Sequence, residues 1–136
     1  MNECAVVELS DGRLMLNMRS FRGKQQRAVS HSRNGGLTWS VPVDSPVLIE
    51  PVCQASLIRL PGPQPRLVFI NPGSRTQRAR STLRVSLDDG QTWPGKHVIY
   101  PGPAAYTAAT PLPGGQVGLL YERDGYRSIT FVRLKP

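Results

Sequence analysis

A repeat of about fifty residues constrains this chain more than any other feature of its sequence. Three segments read as an apolar strand, a tight glycine turn and a second apolar strand. They are residues 6–16 around Asp11-Gly12, residues 56–70 around Pro61-Gly62, and residues 108–120 around Gly114-Gly115. The leucine before each turn stands at position 9, 60 and 112, giving spacings of 51 and 52 residues. Asp-Gly and Gly-Gly favour tight hairpins, whose backbone needs a positive φ that glycine adopts without a Cβ clash. A second repeat is offset within the first. Ser32-Arg33-Asn34-Gly35-Gly36-Leu37-Thr38-Trp39 and Ser86-Leu87-Asp88-Asp89-Gly90-Gln91-Thr92-Trp93 both read S-x-D/N-x-G-x-T-W, 54 residues apart, each after a strand-like stretch (27–31 and 82–85). In such a turn the Asx side chain folds back onto backbone N–H groups, and the tryptophan plugs the turn onto the sheet.

Thirteen glycines and thirteen prolines are spread as isolated punctuation through 136 residues, a pattern that favours many short strands. The length suffices for one core. We therefore expect residues 1–136 to be a single all-β unit of about three blades with four short strands each. The third repeat lacks the S-x-D-x-G-x-T-W turn, as a terminal blade can. A closed β-propeller has four to eight blades, so the chain is expected to form part of one, a partial β-propeller.

Several classes are excluded. An apolar content of 39% is too high for a disordered chain. No apolar run approaches the ~20 residues of a membrane helix, so no membrane partner is expected. The start, Met1-Asn2-Glu3-Cys4, has neither a basic region nor a long apolar one, so no secretion signal is read and the compartment stays unknown. Two cysteines and two histidines without paired spacing argue against a metal, and no cofactor is implied; Cys4 and Cys53 are expected to be buried free thiols. The net charge of +8 calls for an anionic partner. Among 17 basic residues only Lys24, Lys96 and Lys135 are lysines. Arginine forks match a carboxylate or phosphate in two simultaneous hydrogen bonds. Without a lysine-rich tail or a nucleic-acid motif, and with 7% aromatics, no nucleic acid is expected.

Beyond the repeats, the chain resembles the exo-α-sialidase (neuraminidase) family. The S-x-D-x-G-x-T-W turns resemble its Asp boxes. Glu3 in Asn2-Glu3-Cys4-Ala5-Val6-Val7-Glu8-Leu9 and Arg19 in Leu16-Asn17-Met18-Arg19 are similar to its N-E-x-x-V-V-E-L and L-N-x-R stretches. Cys53-Gln54-Ala55-Ser56 resembles its C-Q-x-S strand, and Asn71-Pro72, Arg78 and Arg84-Val85-Ser86 its N-P … R … R-x-S segment. Gly102–Tyr106 and Leu120-Tyr121-Glu122 resemble its G-x-x-x-Y-S … L-Y-E ending. The resemblance implies the C-terminal half of a six-bladed catalytic propeller acting on sialylated glycans. It implies that Tyr106 is the nucleophile, Glu3 its activating base, Arg19 and Arg78 the grip on the sialic acid carboxylate, and Gln54 a residue lining the pocket. Arg78 is chosen over Arg75 and Arg80 because it lies six residues before Arg84.

The chemistry is coherent. Sialic acid carries a carboxylate on the carbon under attack, which repels an anionic nucleophile, and a neutral tyrosine avoids that repulsion. A phenol is a poor nucleophile while protonated and needs a base beside it; the surrounding arginines are expected to lower its pKa. The family's first arginine and its acid/base aspartate have no match here. Asp11 belongs to a hairpin turn, and Asp44 is read as part of a proline-flanked loop. A possible N-terminal half of the propeller is thus an implied partner, and this chain alone is expected to hydrolyse sialosides poorly or not at all. The alternative is a non-catalytic propeller fragment that binds glycans or proteins.

Overall fold

In a computed structural model, which describes residues 1–62, 64 and 66–136, the chain forms ten antiparallel strands. They are β1 (Asn2–Glu8), β2 (Leu14–Arg19), β3 (Gln26–Ser32), β4 (Val43–Ile49), β5 (Ser56–Leu60), β6 (Arg66–Pro72), β7 (Ala79–Ser86), β8 (Gly95–Leu112), β9 (Gln116–Arg123) and β10 (Ser128–Leu134). A four-stranded sheet runs β1-β2-β3-β4 and a six-stranded sheet runs β10-β9-β8-β7-β6-β5. The 18-residue β8 explains the larger sheet. Its first half pairs with β7 and its second half, from Ala104, pairs with β9, so one strand closes the second blade and opens the third. The expected three blades are present, and the third has three strands among the described residues. Asp44 lies inside β4, paired with Ala28, where a loop was expected; Pro46 is tolerated because β4 is an edge strand.

Strand patterning sets which faces meet. Val7, Leu9, Met15 and Leu48 of the first blade pack against Leu57, Leu67, Phe69 and Trp93 of the second. Val68, Ile70 and Leu83, on the opposite face of the second blade, pack against Val117, Leu119 and Tyr121 of the third. The middle blade is covered on both sides, so β6 is buried almost throughout and its centre, Leu67-Val68-Phe69-Ile70, is a continuous apolar run. In the outermost β10 burial instead alternates along the strand, as period-2 geometry requires with one face uncovered.

The two Asp-box turns are built alike. Asn34 Oδ1 accepts from the Ser32 hydroxyl (3.0 Å) and from Thr38 N–H (2.9 Å); Asp88 Oδ1 accepts from Ser86 (2.7 Å) and Thr92 N–H (2.8 Å). Their tryptophans differ. Trp93 is 8% exposed and meets the Phe69 ring edge-on at 6.0 Å, whereas Trp39 is 38% exposed. The motif is the same; only Trp93 has a neighbouring blade over it.

Candidate active site

Glu3 and Tyr106 each sit at an interruption of strand register. β1 carries one extra residue against β2 between Asn2 and Ala5, and β8 one extra against β9 between Ala104 and Thr107. Bulges of this kind twist a strand and re-aim a side chain. Glu3 also has a φ of 45°, unusual for a residue with a side chain. The result is convergence at one end of the blades. The Tyr106 hydroxyl donates to Glu3 Oε1. Arg19 Nη1 donates to Glu3 Oε2 at 2.5 Å and lies 3.3 Å from the Tyr106 oxygen.

Arg78 approaches the same phenol from another blade. Its guanidinium carbon stands 5.6 Å from the centroid of the Tyr106 ring, while Nη1 donates to the Tyr126 hydroxyl (2.9 Å) and Nη2 to Val52 O (3.2 Å). Arg75 points elsewhere, its Nη1 lying 3.4 Å from Gln25 O. The structure therefore brings Glu3, Arg19, Arg78 and Tyr106 together. Gln54 is close by, with its amide engaged: Oε1 accepts from Thr107 N–H (2.9 Å) and Nε2 donates to Thr107 O (3.0 Å). It clamps the backbone next to Tyr106. The Thr107 hydroxyl is 2.8 Å from the Ser56 hydroxyl, so threonine serves this hydrogen bond where the family pattern has serine.

The electrostatics correct one expectation. Tyr106 was expected to have a lowered pKa from the surrounding arginines; it is raised, first by its hydrogen bond to Glu3, then by burial and by the Glu3 charge, which outweigh Arg19. A carboxylate that accepts the phenolic proton stabilises the protonated phenol. Burial pushes the Glu3 carboxyl up, but hydrogen bonds from Tyr106 and Arg19 and the charges of Arg19 and Arg78 outweigh it, and its pKa is lowered. At rest the site thus holds a neutral phenol against an ionised carboxylate. A second correction concerns the thiols: Cys53 is buried, its pKa raised to about 11 by burial, whereas Cys4 is exposed.

Arg19 keeps donors in reserve. Its Nε–H is buried without a partner among the described residues, and the Phe21 ring covers the guanidinium at 4.7 Å. Sequence reasoning did not single out Phe21, Tyr126, Arg27 or Glu50. The first two lie on loops with no periodic signal, and the last two are charged residues hidden in the interior. Glu122 was quoted only for its place in the family's ending; its Oε2 accepts from Tyr106 N–H at 3.1 Å.

Comparison with known proteins agrees with this architecture. The family described as "BNR repeat-like domain" matches residues 1–119. A sialidase of Micromonospora viridifaciens is 42% identical over 129 residues, covering 90% of this chain and 20% of that protein. A sialidase of Bacteroides fragilis (strain YCH46) is 34% identical over 143 aligned positions, covering 98% of the chain and 26% of that protein. Among solved structures, the Hadza microbial sialidase Hz136 superposes with a TM-score of 0.87 at 38% identity, over 98% of this chain and 27% of that one. The leech intramolecular trans-sialidase gives 0.86 at 26% identity, over 98% and 23%. The chain thus spans about a fifth to a quarter of the length of the curated relatives it matches.

Proposed function

The chain belongs to the sialidase family, carrying its BNR repeat-like domain, and from that membership we propose that it supplies the nucleophile, base and carboxylate-gripping part of an exo-α-sialidase centre. The observation that carries this reading is the hydrogen bond from the Tyr106 hydroxyl to Glu3, bracketed by Arg19 and Arg78. In the proposed reaction the sialic acid carboxylate docks on the Arg19 and Arg78 guanidiniums, which fixes the ring for in-line attack. Glu3 takes the phenolic proton as the Tyr106 oxygen bonds to the anomeric carbon and the bond to the aglycone breaks, the aglycone oxygen taking a proton from an acid that a further blade would supply. Water then attacks the anomeric carbon, giving a proton back to that group, and the Tyr106 oxygen leaves and regains the proton held by Glu3, with configuration retained.

The same reading accounts for the uncovered faces. Val6, beside Leu16 on β1 and β2, occupies the place in its blade that Leu57, beside Phe69, occupies in the next. Yet Val6 is 54% exposed and Leu57 5%. At the other end Leu120 and Phe131, paired across β9 and β10, are exposed too. We propose that further blades pack on both faces and contribute the first arginine and the acid/base aspartate, for which 1–136 has no matching position. The cavity between Arg78, Glu122 and Tyr126 measures ≈ 40 Å³, and an open hollow of ≈ 310 Å³ lies beside Tyr106 against Leu120 and Ile129. Loss of general-acid assistance alone costs about 10²–10⁴-fold in rate.

The test is a calorimetric titration of the chain with N-acetylneuraminic acid, beside a fluorogenic sialoside assay. Weak binding is expected that is abolished by Arg19→Ala or Arg78→Ala and kept by Tyr106→Phe, with little or no turnover. Binding indifferent to both arginines would sink the reading. Binding of neutral glycans in preference to the acid would favour the alternative, a non-catalytic glycan-binding module.

A further inference from the structure

Beneath Glu3 lies an ion pair that the proposed chemistry does not touch. Arg27 and Glu50 are both 0% exposed, with Arg27 Nη1 2.7 Å from Glu50 Oε2. Their remaining atoms reach into the segments that carry the site. Arg27 Nη2 donates to Glu3 O (3.3 Å), the carbonyl of the bulged residue at positive φ. Arg27 Nε donates to Asn17 Oδ1 (2.7 Å), on the strand that ends at Arg19. Nη1 also donates to Cys53 O (2.7 Å), the residue before the Gln54 clamp on Thr107. Glu50 Oε1 accepts from Ser20 N–H (2.6 Å), immediately after Arg19.

We propose that Arg27 and Glu50 are positioning residues, a buried fork and its counter-ion that hold the Glu3 bulge, the end of β2 and the Gln54 loop in the register that brings Glu3 against Tyr106. Physical reasoning favours positioning over stability as their use. Taking two charges out of water costs several kcal/mol per ion, and a well-packed apolar pair of similar volume is often equally stable or more so. A bare apolar pair, however, makes no hydrogen bond to the Glu3, Cys53 or Ser20 backbone. A lysine at position 27 is a point charge on a flexible stem and cannot serve the Asn17, Glu50, Cys53 and Glu3 oxygens together. The left-handed conformation of Glu3 needs such a support, because strained backbone persists only where its surroundings over-determine it.

The inference rests on reading Glu3 and Tyr106 as base and nucleophile, and its test needs no sialoside, so the two can fail separately. The ionisation of Tyr106 is followed by ultraviolet absorbance as the difference between each chain and its Tyr106→Phe counterpart. In the parent chain this tyrosine is expected to titrate above the ordinary range, because its hydroxyl donates to Glu3. In the double variant Arg27→Met, Glu50→Leu, and separately in Arg27→Lys, the titration is expected to move down toward ordinary tyrosine while thermal unfolding stays cooperative. An unshifted Tyr106 titration in a folded double variant would overturn the proposal and leave the pair as packing alone. A measurement on the parent chain covers variants that do not fold: the Arg27 Nε–H should exchange with solvent far more slowly than that of the exposed Arg33. Exchange at the same rate would overturn the proposal too.

Discussion

The hydroxyl of Tyr106 donates to a carboxylate oxygen of Glu3 across 103 residues of sequence. The strand bearing the acid opens the first blade, and the strand bearing the phenol opens the third. Each residue sits at a one-residue bulge. Two local irregularities, set on different blades, make one chemical unit.

That unit dictates a pH signature of stability. The Glu3 pKa is lowered in the folded chain, so its contribution is present above the ordinary glutamate range and is lost as pH falls through the folded value. The Tyr106 pKa is raised, so its contribution is complete below the ordinary tyrosine range and is lost as pH rises through the higher folded value. Urea unfolding across pH should show both limbs in the parent chain. Tyr106→Phe should make the alkaline limb less steep, leaving the share of Tyr100, whose pKa its hydrogen bond to Asp124 also raises, and an alkaline limb of unchanged steepness in that variant would contradict the assignment.

The tryptophans of the two Asp boxes should differ in what they contribute. Trp93→Ala removes a ring packed against Phe69 between two blades and should cost about 3–5 kcal/mol, the usual figure for a large core aromatic. Trp39→Ala removes a ring with one side open to solvent and should cost clearly less, as read by denaturant midpoints. Equal losses would mean that the outer face of the first blade is covered in solution.

Breaking the buried pair on one side should be worse than removing both charges. Glu50→Ala leaves the Arg27 guanidinium buried without its counter-ion and should destabilise by about 3–5 kcal/mol. Arg27→Met with Glu50→Leu should lose less. Differential scanning calorimetry of the two chains decides the order.

The Gln54 clamp offers a further check on the site. Gln54→Ala leaves the Thr107 N–H without its side-chain partner beside the β8 bulge, and an orphaned buried donor costs about 1–3 kcal/mol. Gln54→Glu keeps the acceptor for that N–H but faces a carboxylate toward Thr107 O in place of the amide donor. It should therefore recover only part of the loss in urea unfolding. Full recovery would show that the Nε2 hydrogen bond to Thr107 O contributes nothing.

Much of this was legible in the chain itself. The leucine spacing, the Asp-Gly and Gly-Gly turns and the paired S-x-D/N-x-G-x-T-W segments are local matters, decided within a few residues by backbone sterics and Asx hydrogen bonds, and they appear as blades and turns in the structure. The residue types of the site were legible through their family resemblance. The fold alone decided what depends on atoms far apart in sequence: that β8 serves two blades, that Cys4 faces solvent, and that Asp44 lies in a strand. It also decided the direction of the Tyr106 pKa, because one hydrogen bond donated to a carboxylate 103 residues away outweighs the arginines that composition brings to mind. Arg27 and Glu50 were invisible for the same reason. A buried ion pair leaves no periodicity, and its partners are backbone carbonyls and N–H groups that every residue type presents alike.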